Sequence, residues 1–325
     1  MKQIAIVAGG DSSEYKVSLR SAATIMANID RTIFEPYLTV LHGTEWNVEY
    51  NSKQYPLDKN IFGFTTEDGK TIKFGYAYII IHGTPGENGI LEGYLDLMHI
   101  PYSTCGVLAG ALTFNKFMLN NLLKSFGVNV ADSILLRQGD IVTDQQVIDS
   151  VGLPCFIKPS TGGSSFGTTK VTAPEQIQPA IKAAFDESDQ VIIEQFIKGK
   201  EFTSGYFKTK KREFALPITE VVPKRDFFDY DAKYNGAVEE ITPARIPDSL
   251  RDRMQKLTAA IYRIVGCKGI IRNDYIVTEQ DKIYLLEVNT TPGMTETSFV
   301  PQEIKSAGLV LKDVLTEIIE DGLCQ

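Results

Sequence analysis

The sequence predicts a mixed α/β protein with two or three domains, and three observations lead to that class. The chain has 325 residues, which is more than a single small core organises. Hydrophobic residues make up 43% of the chain and charged residues 23%, as in ordinary globular proteins. Apolar runs of strand length alternate with segments of helical periodicity, which is the pattern of α/β folds.

The first unit of this fold begins at the N-terminus. Residues 2–8 form an apolar strand, Gly9 and Gly10 make a turn, and an amphipathic helix follows Asp11. Ligands bind at such turns, outside the carboxyl ends of the strands. The turn does not match G-x-G-x-x-G, so a dinucleotide is not implied. Glu14 is a candidate ligand residue here, although the helix dipole also gives an acid a purely structural reason to stand at a helix start.

The rest of residues 1–105 extends the same α/β pattern. We expect strands at 37–42, 76–81 and 100–102, a helix at 90–98, and a loose excursion or hairpin between 47 and 75. His82 directly follows one of these strands and begins a glycine-rich loop. That position suits a site residue, and it suits equally well a histidine that hydrogen-bonds to the loop backbone.

The middle of the chain contains a predicted phosphate-binding loop. Residues 106–127 are mostly helical and include Lys116. Lys158 lies in a strand that the glycine- and serine-rich loop 160–167 connects to another strand at 168–171. Small residues let backbone N–H groups approach phosphate oxygens, and the lysine adds a positive charge. The loop is not a Walker A sequence, because G-K-[ST] is absent. The alternative interpretation is a mobile hairpin tip.

The remaining elements continue the alternation of strands and helices. Helices are expected at 145–151, 174–185, 247–265 and 309–319, and strands at 128–136, 190–197, 201–207, 217–222 and 239–241. The segment 224–238 has no clean period but holds aromatic residues, among them Tyr230 and Tyr234. A loop of that length and composition predicts a cover over a site.

A hairpin near the C-terminus carries the candidate metal ligands. Two apolar strands flank the polar turn 279–282, with Asp274 on the first strand and Glu287 and Asn289 on the second. Residues two apart share a face, and three hard oxygen ligands on one face suit Mg²⁺. Arg272 should share the face of Asp274 and hold developing negative charge. The alternative is an edge hairpin with solvated polar side chains.

Composition argues against several classes of partner. No apolar run approaches the roughly 18–20 residues of a membrane span, and the N-terminus lacks a signal-peptide layout. The net charge of −8 comes with no basic stripe, which argues against nucleic acid. The four cysteines are far apart in the sequence and form no C-x-x-C pair. We therefore expect reduced thiols and a cytoplasmic location.

Six motifs in order along the chain make it similar to the ATP-grasp family and, within it, to D-alanine–D-alanine ligases. They are residues 9–14 (GGDSSE) with 17–19 (VSL), 82–89 (HGTPGENG), 158–167 (KPSTGGSSFG), 230–234 (YDAKY), 272–274 (RND) and 287–295 (EVNTTPGMT). The resemblance implies an ATP-grasp fold in three domains, namely a Rossmann-like domain at 1–105, a central domain at 106–193 and a C-terminal domain at 194–325. It also implies a homodimer.

The resemblance further implies a reaction and the residues that perform it. ATP would phosphorylate one D-alanine, and the amine of a second would attack the acyl phosphate to give D-alanyl-D-alanine for peptidoglycan. Two Mg²⁺ or Mn²⁺ ions would bind Asp274, Glu287 and Asn289. The family's ATP-binding positions fall on Lys116, Lys158, Ser165, Glu194, Ile197, Glu201 and Lys233. Its catalytic and substrate positions fall on Glu14, His82, Ser164, Tyr234, Arg272, Gly293, Ser298 and Phe299.

Within that set the resemblance assigns separate roles. Glu14, with His82 nearby, would hold the ammonium of the first D-alanine, and Ser298 the carboxylate of the second. Arg272 and the Gly293 N–H would stabilise the oxyanion of the tetrahedral intermediate. Ser164 and Tyr234 would bond with Glu14 and fasten the covering loop, which keeps water from the acyl phosphate.

Departures from the family pattern leave other functions open. Lys16 puts a positive charge near the proposed ammonium site, Asn88 stands where aspartate is usual, and Phe299 where leucine is common. One alternative is a ligase whose acceptor is D-lactate or D-serine, although Tyr234 argues against D-lactate. Another is a regulatory nucleotide-binding domain, which would have lost the chemistry residues that are all present here.

Overall fold

The computed structural model describes residues 1–162, 167–223 and 238–324. The first hundred residues form β1 (Lys2–Gly9), α1 (Tyr15–Asn28), β2 (Phe34–His42), β3 (Glu45–Tyr50), β4 (Lys53–Pro56), β5 (Gly63–Thr65), β6 (Thr71–Lys73), β7 (Ala77–Ile79) and α2 (Ile90–Leu97). One sheet has the order β4–β3–β2–β1–β7, and β1 runs parallel to β2 and β7. The parallel pairing of β1 and β2 follows from the crossover through α1.

Two details of this region differ in their agreement with the sequence. The excursion at 47–75 forms two short hairpins, β3–β4 and β5–β6, as expected. The predicted strand at 100–102 is wrong, because only Tyr102 pairs, in a single bridge to Ala77. The Ile100 N–H instead donates to the Leu95 carbonyl at 2.9 Å, and Pro101 has no N–H to extend a ladder.

The helical stretch at 106–127 is broken into α3 (Val107–Phe114) and α4 (Lys116–Ser125). Asn115 between them is extended, and its side chain accepts a hydrogen bond from the Met118 N–H at 3.1 Å. Asparagine is a favoured N-cap, so it begins a new helix at Lys116. Leu119 and Leu123 of α4 are buried in the core beneath the third sheet.

The second sheet covers the middle of the chain. Its elements are β8 (Ser133–Arg137), α5 (Asp144–Val151), β9 (Cys155–Pro159), β10 (Thr169–Val171), α6 (Ile177–Phe185) and β11 (Gln190–Gln195), with strand order β10–β9–β11–β8. The helices and strands share a core that includes Val147, Ile157 and Ile193. The strand expected at 128–136 begins only at Ser133, because Val130 pairs instead with Leu285.

The third sheet carries the C-terminal hairpin. Its part of the chain contains β12 (Lys200–Lys208), β13 (Glu213–Ala215), β14 (Thr219–Pro223), β15 (Val238–Ile241), α7 (Asp248–Val265), β16 (Ile270–Val277), β17 (Ile283–Asn289), α8 (Phe299–Ser306) and α9 (Leu311–Leu323). The strand order is β15–β14–β12–β16–β17, with β13 paired to β12. The predicted hairpin is therefore confirmed as β16–β17.

The end of the chain returns to the first sheet. Val314 and Ile318 of α9 are buried in one core with Ile4 and Ile6 of β1. This packing joins the N-terminal and C-terminal parts of the molecule. The domain boundaries after residues 105 and 193 stay a prediction, which limited proteolysis can test. No helix in the described part of the chain is long and apolar enough to cross a membrane.

Candidate active site

The β16–β17 hairpin brings its four polar side chains together. Arg272 pairs with Asn289 and Asp274 with Glu287 across the two strands, so all four lie on one face. The Arg272 Nε and Nη2 each donate to a different oxygen of Asp274 at 2.8 Å. The Asn289 Nδ2 donates to Asp274 at 3.3 Å, and Glu287 lies 3.9 Å from Arg272 Nη2. The local alternation of strand residues thus builds a compact polar cluster.

The charges of this cluster compensate one another. Burial alone would lower the pKa of Arg272, but the neighbouring Asp274 and Glu287 outweigh that effect and raise it. Arg272 therefore stays protonated, and its fork fixes the Asp274 carboxylate. The two carboxylates and the Asn289 amide oxygen are hard donors of the kind that Mg²⁺ or Mn²⁺ takes, and each carboxylate oxygen has lone pairs beyond those used by Arg272. The donor set fits a divalent ion completed by phosphate oxygens.

A cavity of about 800 Å³ opens between the second and third sheets. It is lined by the predicted ATP-binding residues Lys116, Lys158, Glu194, Ile197 and Glu201, together with Asp274 and Glu287. Lys158 Nζ lies 2.5 Å from Glu194 Oε2, and both side chains are largely buried. A residue that the sequence did not single out, Asn120, donates from Nδ2 to Glu194 Oε1 at 3.0 Å.

Lys116 stands at the start of α4 and points to the loop after β9. Its Nζ donates to the Gly162 carbonyl at 2.6 Å, and its backbone N–H donates to the Ser160 carbonyl at 2.8 Å. Burial lowers the pKa of Lys116, while the carboxylate of Glu287 opposes that shift. The lysine is thus placed between the predicted phosphate-binding loop and the hairpin.

A second cavity, of about 1010 Å³, lies on the other side of the hairpin. The predicted substrate residues Glu14, His82, Arg272, Gly293, Ser298 and Phe299 all line it. Lys116, Arg272 and Glu287 line both cavities. The two spaces therefore meet at the hairpin, with a lysine and an arginine at their junction.

The N-terminal end of this second cavity is acidic. His82 is buried, and its ring Nε2 has no hydrogen-bond partner within the described ranges. Glu87, which the sequence analysis quoted in a motif but gave no role, accepts from the Gly83 N–H at 2.6 Å. Burial raises the pKa of Glu87, His82 opposes that shift, and Glu14 reinforces it. The turn from Gly83 to Glu87 was the available signal, since it returns the carboxyl to the histidine loop.

The opposite end of the cavity is formed by the segment before α8. Ser298 Oγ accepts from the Thr295 N–H at 3.1 Å and lies 2.7 Å from Thr295 Oγ1. The Phe299 ring stacks over the Arg272 guanidinium, with 5.4 Å between the guanidinium carbon and the ring centre. A Cβ on Gly293 would come within 2.9 Å of Ser298 Oγ, so this close approach requires glycine.

Four predicted site residues cannot be compared with the structure. Ser164 and Ser165 of the phosphate-binding loop, and Lys233 and Tyr234 of the segment 224–238, lie outside the described residues. Their roles, and the covering role of that segment, stay predictions.

Sequence models of one ligase family match most of the chain. The model described as D-ala D-ala ligase N-terminus matches residues 3–105, and D-ala D-ala ligase C-terminus matches residues 122–320. The chain belongs to the D-alanine–D-alanine ligase family. This ligase family uses ATP, and the predicted ATP-grasp α/β fold and enzyme class are confirmed.

Relatives and solved structures agree over almost the whole length. The chain is 59% identical to a D-alanine–D-alanine ligase of Bacteroides thetaiotaomicron and 57% identical to one of Phocaeicola vulgatus, covering 98% of this chain and 99% of each relative. D-alanyl-alanine synthetase A of Vibrio cholerae has a TM-score of 0.90 at 27% identity, covering 100% of this chain and 99% of that one.

Two further solved structures bear on ligands. A Bacillus anthracis D-alanine–D-alanine ligase complexed with ATP has a TM-score of 0.79 at 27% identity, covering 100% of this chain and 98% of that one. The VanG D-Ala:D-Ser ligase of Enterococcus faecalis has a TM-score of 0.86 at 30% identity, covering 98% of each chain.

Proposed function

We propose that the two joined cavities bind ATP and two D-alanines, and that the residues at their junction carry the family's reaction, the ATP-dependent joining of two D-alanines. The observation that supports this is the sharing of Lys116, Arg272 and Glu287 by both cavities. A phosphoryl group transferred from ATP in one cavity to a carboxylate in the other would pass this shared lining. The solved relative that holds ATP supports the nucleotide assignment.

In the nucleotide cavity, the proposed roles follow from charge and position. Lys116 and Lys158 bind phosphate oxygens, as compact positive charges do. Glu194 accepts from the adenine amino group, Ile197 packs on the base, and Glu201 accepts from the ribose. A divalent ion, Mg²⁺ or Mn²⁺, would be held by Asp274, Glu287 and Asn289 and would neutralise phosphate charge. Ser165 and Lys233 are proposed as further phosphate contacts.

In the amino-acid cavity, the proposed arrangement places one D-alanine at each end. Glu14 and Glu87, which line this cavity together with His82, form an acidic end suited to the ammonium of the first D-alanine. Ser298 binds the carboxylate of the second. The Arg272 guanidinium and the Gly293 N–H then stabilise the oxyanion that forms when the second amine attacks. Ser164 and Tyr234 are proposed to close the site against water with Glu14.

D-alanine is the proposed acceptor rather than D-serine. The relatives at 57% and 59% identity carry the name D-alanine–D-alanine ligase, whereas the structure named for D-serine is 30% identical. The product then enters peptidoglycan precursor synthesis, for which we propose a cytoplasmic location. Cell fractionation tests the location.

We also propose that two copies of the chain form a homodimer. Helices α2 and α3 are neighbours, and a Cβ on Gly93 would lie 3.7 Å from a methyl group of Val107. These helices expose Ile90 (62%), Leu97 (82%) and Leu108 (80%), which is an apolar patch of the kind that partners cover. Sedimentation of the parent and of a Leu97→Glu/Leu108→Glu variant tests this. A dimeric variant would rule out this face.

The first experiment on the function measures phosphate release from Mg-ATP with D-alanine, L-alanine, D-serine or no amino acid. Release that requires D-alanine, together with the dipeptide in a mass spectrum, is the expected result. Release independent of the amino acid would overturn the proposed substrates. A mixed product in which D-serine outcompetes D-alanine would overturn the proposed acceptor.

A further inference from the structure

Glu303 is a buried carboxyl that none of the roles above uses. It lies in α8, one helical turn after Phe299, and it is completely shielded from solvent. A buried carboxyl is costly unless its oxygens are hydrogen-bonded, so its partners indicate what it holds. Burial also raises the pKa of Glu303 well above its usual range.

Both oxygens of Glu303 are bonded to the third sheet. Oε2 accepts from the Gly205 N–H of β12 at 2.8 Å, and Oε1 accepts from Thr219 Oγ1 of β14 at 3.2 Å. Thr219 Oγ1 lies in turn 2.7 Å from Thr242 Oγ1. One side chain of α8 thus ties that helix to two strands.

These contacts lie directly beside the active site. Gly205 is the register partner of Arg272 between β12 and β16. At the start of α8, Ser298 occupies the N-cap position and Phe299 covers the Arg272 guanidinium. A Cβ on Gly205 would come within 2.5 Å of Glu303 Oε2, so the close approach of helix and strand needs glycine there. A displacement of α8 would therefore move Ser298 and Phe299 together.

We propose that Glu303 is a positioning residue for the second D-alanine: by fastening α8 to β12 and β14 it sets Ser298 and Phe299 relative to Arg272. The inference rests on the proposed acceptor role of Ser298. A buried polar anchor contributes little net stability compared with an apolar side chain of similar size, but it fixes one register of packing.

The test compares four variants with the parent in full kinetic experiments. Glu303→Ala removes the anchor, Glu303→Gln keeps its shape, and Gly205→Ala pushes the carboxyl away without removing it. The matched control is Glu317→Ala, because Glu317 is also buried and ties α9 to Thr209 and Arg212, away from the cavities. Initial rates are measured at varied concentrations of D-alanine and of Mg-ATP. They give three constants, namely a KM for the first D-alanine, a KM for the second D-alanine and a KM for Mg-ATP.

We expect Glu303→Ala and Gly205→Ala to raise the KM for the second D-alanine about tenfold, because a positioning contact is lost. The KM for Mg-ATP should stay within about twofold of the parent value. Glu303→Gln should restore the parent value within about threefold, since its amide keeps an acceptor for the Gly205 N–H. Glu317→Ala should lower the melting temperature and leave all three constants unchanged.

Two results would overturn the inference. One is an unchanged KM for the second D-alanine in Gly205→Ala, whether or not Glu303→Ala folds. The other is an equal rise of all three constants in Glu303→Ala. Ser298→Ala separates this inference from the function on which it rests. An unchanged second constant in Ser298→Ala refutes the acceptor site itself, whereas a raised one with a normal Glu303→Ala refutes only the positioning role.

Discussion

Buried carboxyl groups have different surroundings at the β16–β17 hairpin and at the N-terminal end of the second cavity. At the β16–β17 hairpin, Asp274 and Glu287 share the Arg272 guanidinium, at 2.8 and 3.9 Å from its Nη2. At the N-terminal end, burial raises the pKa of Glu87, and Glu14 adds to that shift. In the same region burial raises the pKa of Glu92 to about 8, and its Oε2 has no hydrogen-bond partner in the part of the chain that the structure describes.

The difference shows which part of the site is complete before ligands bind. The hairpin supplies its own counter-charge, so Arg272 holds the Asp274 carboxylate in place where a metal and phosphate oxygens would bind. At the N-terminal end, burial raises the pKa of Glu87 and His82 opposes that shift only in part, so a bound ammonium group would add counter-charge. The binding energy of the first D-alanine would then include the relief of an unfavourable burial.

Removing Arg272 tests the hairpin, where a guanidinium pairs with the carboxylates, and we expect the largest effect here. Arg272→Ala should lower kcat by about 10³-fold, because the guanidinium is proposed to act on the developing oxyanion. Binding of Mg-ATP, measured by calorimetry, should weaken only a few-fold. The control is Arg263→Ala on α7, which loses an exposed ion pair with Glu213 of β13 and should keep the parent rate. Equal losses in turnover and ATP binding would sink the proposed role.

Replacing Glu92 with a neutral residue tests the N-terminal end, where burial raises carboxyl pKa values, and the free energy of unfolding is the quantity measured. Its pKa is raised from 4.5 to about 8, so the folded protein keeps a proton that the unfolded chain releases. The stability contribution of this group is complete below pH 4.5 and is lost as the pH rises to about 8. Glu92→Gln should be about 5 kcal/mol more stable than the parent at pH 9 and nearly equal to it at pH 4.5, because each unit of pKa shift corresponds to about 1.4 kcal/mol. Urea unfolding at both pH values measures this.

Shared titrations cancel in that comparison, since parent and variant differ only at Glu92. A stability difference that is the same at both pH values would show that Glu92 does not titrate in this range. Glu87 would then be the remaining carboxyl at the N-terminal end for which burial raises the pKa.

Glu87 connects this charge to substrate binding. Glu87→Gln keeps an acceptor for the Gly83 N–H but removes the negative charge, so it should raise the constant for the first D-alanine about five- to tenfold. Glu92→Gln is the matched control, because Glu92 does not line the cavity and should leave that constant unchanged. If Glu87→Gln binds the first D-alanine as well as the parent does, Glu14 alone holds the ammonium.

The contrast also explains how much the sequence could predict. The hairpin cluster was predictable because residues two apart in a strand share a face, which is a local rule that places Glu287 beside Asn289. Asn120 was missed because its partner Glu194 is brought close only by tertiary packing, whereas Glu87 was overlooked although the local turn from Gly83 brings it back to the histidine loop. The packing of α9 against β1 could not be predicted either, because periodicity shows that a helix is amphipathic but not which element it packs against.

The break in the helix at Asn115 was accessible but overlooked. An N-cap asparagine directly before Lys116 is a helix-start signal, and it sets the direction in which that lysine enters the cavities. The loops with Ser164, Ser165, Lys233 and Tyr234 were assigned from family resemblance, and those assignments remain predictions.

The smallest expected effect concerns Asn120, which donates a hydrogen bond to a buried carboxylate in the nucleotide cavity. Glu194 is paired with Lys158 on one oxygen and with Asn120 on the other. If Lys158 also contacts phosphate, Asn120 is the partner that keeps the Glu194 carboxylate aimed at the base. Asn120→Ala should therefore raise the Mg-ATP constant about threefold, the cost of one hydrogen bond to a charged group that water partly replaces, with both D-alanine constants unchanged. Asn121→Ala is the adjacent control, because Asn121 is exposed and donates to the Phe117 carbonyl of its own helix. A raised ATP constant in both variants would point to a general weakening of α4 instead, and Glu194 would then depend on Lys158 alone for its orientation.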